Sequence, residues 1–210
     1  MTSDMAPERI TSIVLAAGGA RRFGARKQLA SLRGRPLLEH ALAAAAAGPA
    51  AEVLVVLGSS ADQIEGRVRL GGATAVRCPG WRGGRGASLR AGLEVLGEDV
   101  AATLVTLGDE PFVSPRASRR LVAARSPELE ALRATYRGRP GHPVLIERSL
   151  FAPLIAALPQ TKPAVLLRRA GVAGVECGDL GVPVDVDTAA QLAELELPAA
   201  APSAPGSPDR

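Results

Sequence analysis

Three segments are apolar almost throughout and rich in β-branched side chains: residues 10–16 (ITSIVLA), 52–57 (EVLVVL) and 101–107 (AATLVTL). A strand with one wet face alternates apolar and polar residues; a strand covered on both faces does not. Helical patterns stand between and after these runs, at 36–47, 60–68, 87–96 and 114–125, and a fourth short strand is expected at 73–77. Buried strands alternating with helices need a mainly parallel sheet with helices on both faces. The expected fold class is therefore α/β, a Rossmann-like three-layer αβα arrangement. In such sheets ligands bind beyond the carboxyl ends of the strands, so the loops after the first, third and fourth strands carry the functional information.

The helix starts and stops support this division. Proline stands early in the 36–47 pattern, and Gly48-Pro49 ends it. Ser114-Pro115 opens another helix. Further along, 132–136 and 143–146 read as strands flanking a turn at 137–141. Residues 150–158 and 164–169 read as helices, 182–187 as strand-like and 188–195 as a last helix. Residues 1–197 are expected to form one domain, and 198–210, rich in Pro, Ala and Ser, a disordered tail.

Composition removes several function classes. Aromatic residues make up 2% of the 210 positions, which leaves no stacking platform for single-stranded nucleic acid. The net charge of +4 is dispersed, with no block of like charges, so neither a nucleic-acid nor a membrane partner is expected. Cys78 and Cys177 form no metal-binding spacing. Residues 1–9 lack the apolar core of a signal peptide, and no run reaches the roughly 20 apolar residues of a membrane span, so a cytoplasmic protein is expected. Of the 25 basic residues only Lys27 and Lys162 are lysines. A lysine is a compact point charge and an arginine a broad fork, which draws attention to those two positions.

The first loop, Leu15-Ala16-Ala17-Gly18-Gly19 followed by Arg21, Arg22, Arg26 and Lys27, lacks both the P-loop and the dinucleotide-binding glycine patterns. Its small residues nevertheless let backbone N–H groups approach anionic oxygens, with cations alongside. A polyphosphate cradle and an ordinary turn with surface arginines fit this composition about equally. Asp109, at the end of the fourth strand, stands where a Mg²⁺ ion bridging phosphates is held in other proteins, or where a turn aspartate caps a helix. Asp185 and Asp187, two residues apart on a strand-like segment, would share one face, either around a cation or at an exposed edge.

Five segments in register resemble one family. LAAGGARRFGARK resembles the LAAGxxxRxGxxK signature of nucleotidyltransferases of the molybdenum-cofactor type. CPGWRGGRGASLRAGL is similar to the family's NPxWxxGxxxSLxxGL, LGDEPFV to LGDxPxV, GRPGHPVLI to GxPGHPxxF, and VDVDTAAQL to DIDTPEDL. The match runs from Ile13 to Leu192. LAAG in place of LAGG resembles the cytidylyl-transferring branch. The resemblance implies that Leu15, Ala16, Ala17, Gly18 and Gly19 line the nucleotide and that Arg22 and Lys27 clamp the triphosphate. It implies that Gly84, Ser88 and Leu89 frame base and ribose, and that Asp109, with Asp185 or Asp187, holds Mg²⁺. His142 would face the acceptor. The implied reaction moves CMP from CTP to the phosphate of molybdopterin and releases pyrophosphate, with Arg22, Lys27 and Asp109 as catalytic groups and a molybdoenzyme as eventual recipient.

The chain departs from the family pattern at Pro159-Gln160-Thr161-Lys162-Pro163-Ala164, where a GDxGAR-like turn is usual, at Cys78 for Asn, and at Ala189-Ala190-Gln191 for the PED residues. The first departure falls on the acceptor side. It leaves two other readings: transfer to a sugar or alcohol phosphate, or from GTP, and a non-catalytic nucleotide- or cofactor-handling role. A phosphate acceptor is already anionic at neutral pH, so no general base is required of a chain with two histidines, His40 and His142.

Overall fold

The computed structural model describes residues 9–19, 23 and 26–196. The expected strands form: β1 (Arg9–Ala16), β4 (Glu52–Leu57), β5 (Thr74–Arg77) and β6 (Val100–Leu107). A two-residue pair, β2 (Ser31–Leu32) and β3 (Arg35–Pro36), follows the first loop. The later strands are β7 (Ala131–Tyr136), β8 (Arg139–Glu147) and β9 (Ala173–Glu176). The helices are α1 (Leu37–Ala46), α2 (Ala61–Glu65), α3 (Arg85–Glu94), α4 (Pro115–Ala123), α5 (Phe151–Ala157), α6 (Pro163–Arg169) and α7 (Ala189–Glu196).

Seven strands make one sheet in the order β5-β4-β1-β6-β8-β7-β9. All neighbours are parallel except those of β8, which runs against β6 and β7. The chain steps from β1 outward to β4 and β5, then returns through α3 to β6 on the other side of β1. A crevice is left at the carboxyl ends of β1 and β6, where the connections diverge.

Each sheet face is apolar, which makes three layers. Ile13, Val56, Val105, Val144 and Ile146 pack under α3, α5 and α6 through Leu89, Leu93, Phe151, Leu154 and Leu167. On the opposite face, Val14, Val55 and Leu57 pack under α1 and α2 through Leu38, Leu42 and Ile64, and Leu104, Leu132 and Leu145 pack under α4 through Ala117 and Leu121. Each fully buried aliphatic side chain contributes about 1.5–3 kcal/mol relative to exposure, so the covered faces stabilise the frame of the crevice. Ser114 caps α4 by accepting from the Arg116 N–H, and Pro115 occupies its first turn, as its sequence implies.

Residues 182–187 correct an expectation: they form no strand. Gly181 has a positive φ of 87° and Pro183 cannot donate to a ladder. The edge of β7 is instead taken by β9, whose AGVE sequence is too short and too poor in apolar residues to stand out. The 182–187 stretch passes the end of β6 as a strap, pinned by Val186, whose N–H donates to the Asp109 carbonyl. The Val186 side chain is fully buried with Leu32 and Leu37, and Leu192 of α7 packs against the cluster. The proposed tail at 198–210 lies outside the described residues.

Glu176, at the end of β9, ties down the β7–β8 turn. Its carboxylate accepts from the N–H groups of Arg137, Gly138 and Gly178 and from the Thr135 hydroxyl. Arg137 and Gly138 both have positive φ, the geometry of a tight two-residue hairpin turn. The hydrogen bond from the Arg137 N–H leads the others in holding the Glu176 carboxyl down at about 2. A carboxyl depressed in the folded state adds stability above its unfolded pKa and loses it as pH falls through the folded value. The melting-temperature gap between wild type and Glu176→Gln should therefore be full above about pH 4.5 and close between there and pH 2. A gap independent of pH in thermal melts would refute the assignment.

Candidate nucleotide and metal site

The crevice at the ends of β1 and β6 holds a cavity of about 430 Å³. Its floor is the turn Leu15-Ala16-Ala17-Gly18, its far side Leu107-Gly108-Asp109, and one wall the start of α3 with Gly84, Arg85 and Ser88. The two loops are stitched by the Gly108 N–H donating to the Leu15 carbonyl at 3.0 Å. A Cβ at 108 would lie 2.9 Å from the Leu38 side chain and 3.0 Å from the Ala16 Cβ, so any larger residue would push these two apart. Among the described residues nothing lies within 4 Å of where a Gly18 Cβ would stand. The first turn of α3 carries no acidic residue, and its N–H groups are a favourable place for anionic oxygens.

Lys27 sits in this cavity on a short 3-10 turn at residues 27–29. Its Nζ lies 2.6 Å from Asp109 Oδ2 and 2.8 Å from Asp187 Oδ1. The lysine side chain is 11% exposed, so its charge could not stay in place without such partners. Burial on its own would lower the Lys27 pKa, but the hydrogen bonds and charges of Asp109 and Asp187 outweigh it, and the ammonium is held more firmly protonated than usual. Positions 27, 109 and 187 thus meet at one point. The strap carries Asp187 there because Val186 is buried beside it and its N–H donates to the Asp109 carbonyl at 3.1 Å.

Asp185 does not share the place of Asp187. Val186 plugs the core between them, and the Asp185 carboxyl is influenced by Glu110 rather than by Lys27. Partial burial, then Glu110, then the charges of Asp109 and Asp187, push that carboxyl up to about 6 although the residue as a whole is exposed. Among the described residues, no three His, Cys, Asp or Glu side chains gather as a self-sufficient metal site. The donor set at the cavity is two carboxylates around a cation. That pair of hard oxygen ligands fits Mg²⁺, which is usually held by one or two carboxylates plus substrate phosphates.

The other expected residues divide between two places. Leu15, Ala16, Ala17, Gly18, Gly84, Ser88, Lys27, Asp109 and Asp187 line the first cavity. Gly19 lies at its edge, where an added Cβ would be 3.2 Å from the Trp81 ring. Leu89 and His142 line a second cavity of about 510 Å³, which shares Leu15, Gly84, Arg85 and Leu107 with the first. Arg22 lies outside the described residues. His142 Nδ1–H donates to Glu110 Oε1 at 2.8 Å, and its carbonyl accepts from the Tyr136 hydroxyl. His40 is structural, with Nε2 2.8 Å from the Leu32 carbonyl, and both cysteines are buried and free.

Three contributors escaped the sequence reading. Gln28, directly after Lys27, is buried, and its Nε2 donates to the carbonyls of Ala16 and Gly18 at 2.9 Å each. It locks the turn that lines the first cavity, a role that follows only from the way the 27–29 turn folds back. Glu110 stood in a motif that attracted attention for its neighbour Asp109. Arg133, which lines the second cavity, lay on a strand with no signature around it.

A doubly wound sheet with a small-residue turn, an anchored lysine and two converging carboxylates defines the class of nucleotide-handling α/β proteins. Within it, residues 12–174 match the MobA-like NTP transferase domain, and the chain belongs to that family. The chain is 31% identical to nicotine blue oxidoreductase of Paenarthrobacter nicotinovorans, over 89% of this chain and 96% of that one. It is 32% identical to the molybdenum cofactor guanylyltransferase of Rhodobacter capsulatus, over 90% and 92%. The manganese complex of Rv0371c from Mycobacterium tuberculosis superposes with a TM-score of 0.76 at 28% identity, covering 90% of this chain and 98% of that one. No described helix is long and apolar enough to cross a membrane.

Replacing Gln28 by leucine roughly keeps the volume but leaves the buried Ala16 carbonyl and the part-buried Gly18 carbonyl without their donor. The expected loss is about 1–3 kcal/mol of stability by urea denaturation, together with weaker nucleotide binding. Unchanged nucleotide affinity in Gln28→Leu would show that the turn holds its shape without the amide.

Proposed function

We propose that the protein is a metal-dependent cytidylyltransferase that moves CMP from CTP to the phosphate of molybdopterin. The observation that carries this reading is the Lys27 ammonium held between Asp109 and Asp187 inside the first cavity. A phosphate oxygen of the acceptor attacks the α-phosphorus of CTP, the α–β bridging P–O bond breaks, and pyrophosphate departs with the electron pair. No proton has to be removed from an anionic phosphate, so positioning and charge neutralisation supply the catalysis.

Asp109 and Asp187 would hold Mg²⁺, which neutralises phosphoryl charge when bound. In that state Lys27 shifts from the carboxylates to the departing pyrophosphate, with Arg22 proposed beside it. Gly18 and the start of α3 offer N–H groups to the phosphates, and Gly84 and Ser88 border the base and ribose. A divalent ion is supported by the relative solved with manganese, and molybdopterin by the relative named a guanylyltransferase of that cofactor. The choice of CTP over GTP rests on Ala17 before Gly18.

Lys27→Ala and Asp109→Ala should each slow single-turnover transfer by at least about a hundredfold, the usual loss for one preorganised electrostatic group. Pyrophosphate release would be measured with each of the four NTPs, against molybdopterin and against sugar and alcohol phosphates. Rates near wild type in both variants would remove the catalytic roles. Transfer from GTP alone would overturn the base assignment. Nucleotide binding without transfer to any acceptor would leave a handling protein, or the redox chemistry that the name of the 31% identical relative raises.

A further inference from the structure

The second cavity is apolar over most of its wall; its charged lining residues are Arg85, Lys162 and Arg133, and of these Arg133 alone stands on a sheet strand. Val105, Val144 and Arg133 are register neighbours on β6, β8 and β7 and form one row across the sheet. Strand alternation puts Arg133 on the same face as Ala131, under α5 and α6, where the row calls for an aliphatic residue. Its guanidinium is half taken out of water, and burial alone pulls its pKa down. Among the described residues its Nε is shielded from solvent with no hydrogen-bond partner, and no carboxylate offsets its charge. An uncompensated, half-buried charge destabilises a fold, so a position that keeps one points to a ligand.

Arg133 lines the second cavity and not the first, whereas Lys27 and Asp109 line the first and not the second. It stands two strands from β6, about 10 Å, and its row lies two residues short of Leu107 at the crevice. The shared walls Leu15 and Leu107 join the two cavities into one trough, with Lys27 and Asp109 at one end and Arg133 at the other. Lys162 and Pro163, from the segment that departs from the family pattern, form part of the second cavity's wall.

We infer that Arg133 is a specificity-determining anchor for an anionic group on the body of the acceptor, remote from the phosphate that reacts. The acceptor then carries two anionic positions separated by an apolar stretch. This rests on the reading of the second cavity as the acceptor side.

Benzoate, an apolar ring with one carboxylate, and its neutral counterpart benzamide would be titrated into wild type, Arg133→Met and Lys27→Ala and followed by NMR. Benzoate should bind wild type and Lys27→Ala alike, and lose at least about tenfold in affinity for Arg133→Met, while benzamide binds none of them measurably. Arg133→Met should melt at or above the wild-type temperature, since the charge it removes has no partner. In transfer assays its KM for the acceptor should rise while its KM for CTP and its kcat stay within about twofold. Failure of benzoate to bind, equal affinity for Arg133→Met, or a large drop in melting temperature would overturn the anchor. Failure of the transferase reading alone would abolish turnover in wild type and leave the benzoate result intact.

Discussion

One ammonium group holds three distant parts of the chain together. Lys27, just after the first strand, Asp109, at the end of β6, and Asp187, on the strap before the last helix, meet within 2.6–2.8 Å. Without the lysine, two carboxylates would face each other across a part-buried crevice. Without them, a lysine at 11% exposure would be an unpaired charge. The ammonium offsets one of the two carboxylate charges and leaves the group with one net negative charge in the crevice.

The strap shows how packing serves this arrangement. Val186 is buried in a small apolar cluster with Leu32 and Leu37, away from the main sheet cores, and it sets the two aspartates on either side to different tasks. Asp187 pairs with Lys27, whereas the Asp185 carboxyl is raised by partial burial and by Glu110, whose Oε1 accepts from His142 at the edge of the second cavity. The two cavities are joined through the Leu15 and Leu107 walls.

Much of the frame was legible because its signals are local. Uninterrupted apolar strands announce burial on both faces, and Ser114-Pro115 or Gly48-Pro49 mark helix ends through backbone chemistry alone. The signal failed where structure depends on a neighbour. Residues 182–187 look like a strand, but whether such a segment joins a sheet depends on a free edge, and β9 had taken the one beside β7. The equal treatment of Asp185 and Asp187 failed for a related reason. Spacing places two side chains on one face only while the chain remains a strand, and here the buried Val186 decides where each goes.

From the sequence alone came the class of fold, the loops that carry function and the identities of the charged groups that meet there, since strand burial and glycine-rich turns are written in short stretches of chain. The tertiary structure alone decided which aspartate reaches Lys27, that Gln28 clamps the turn lining the first cavity, and that Arg133 ends an apolar row without a counter-charge among the described residues. These facts depend on strand order and on register between segments more than a hundred residues apart in some cases. No local pattern of residues encodes such distances.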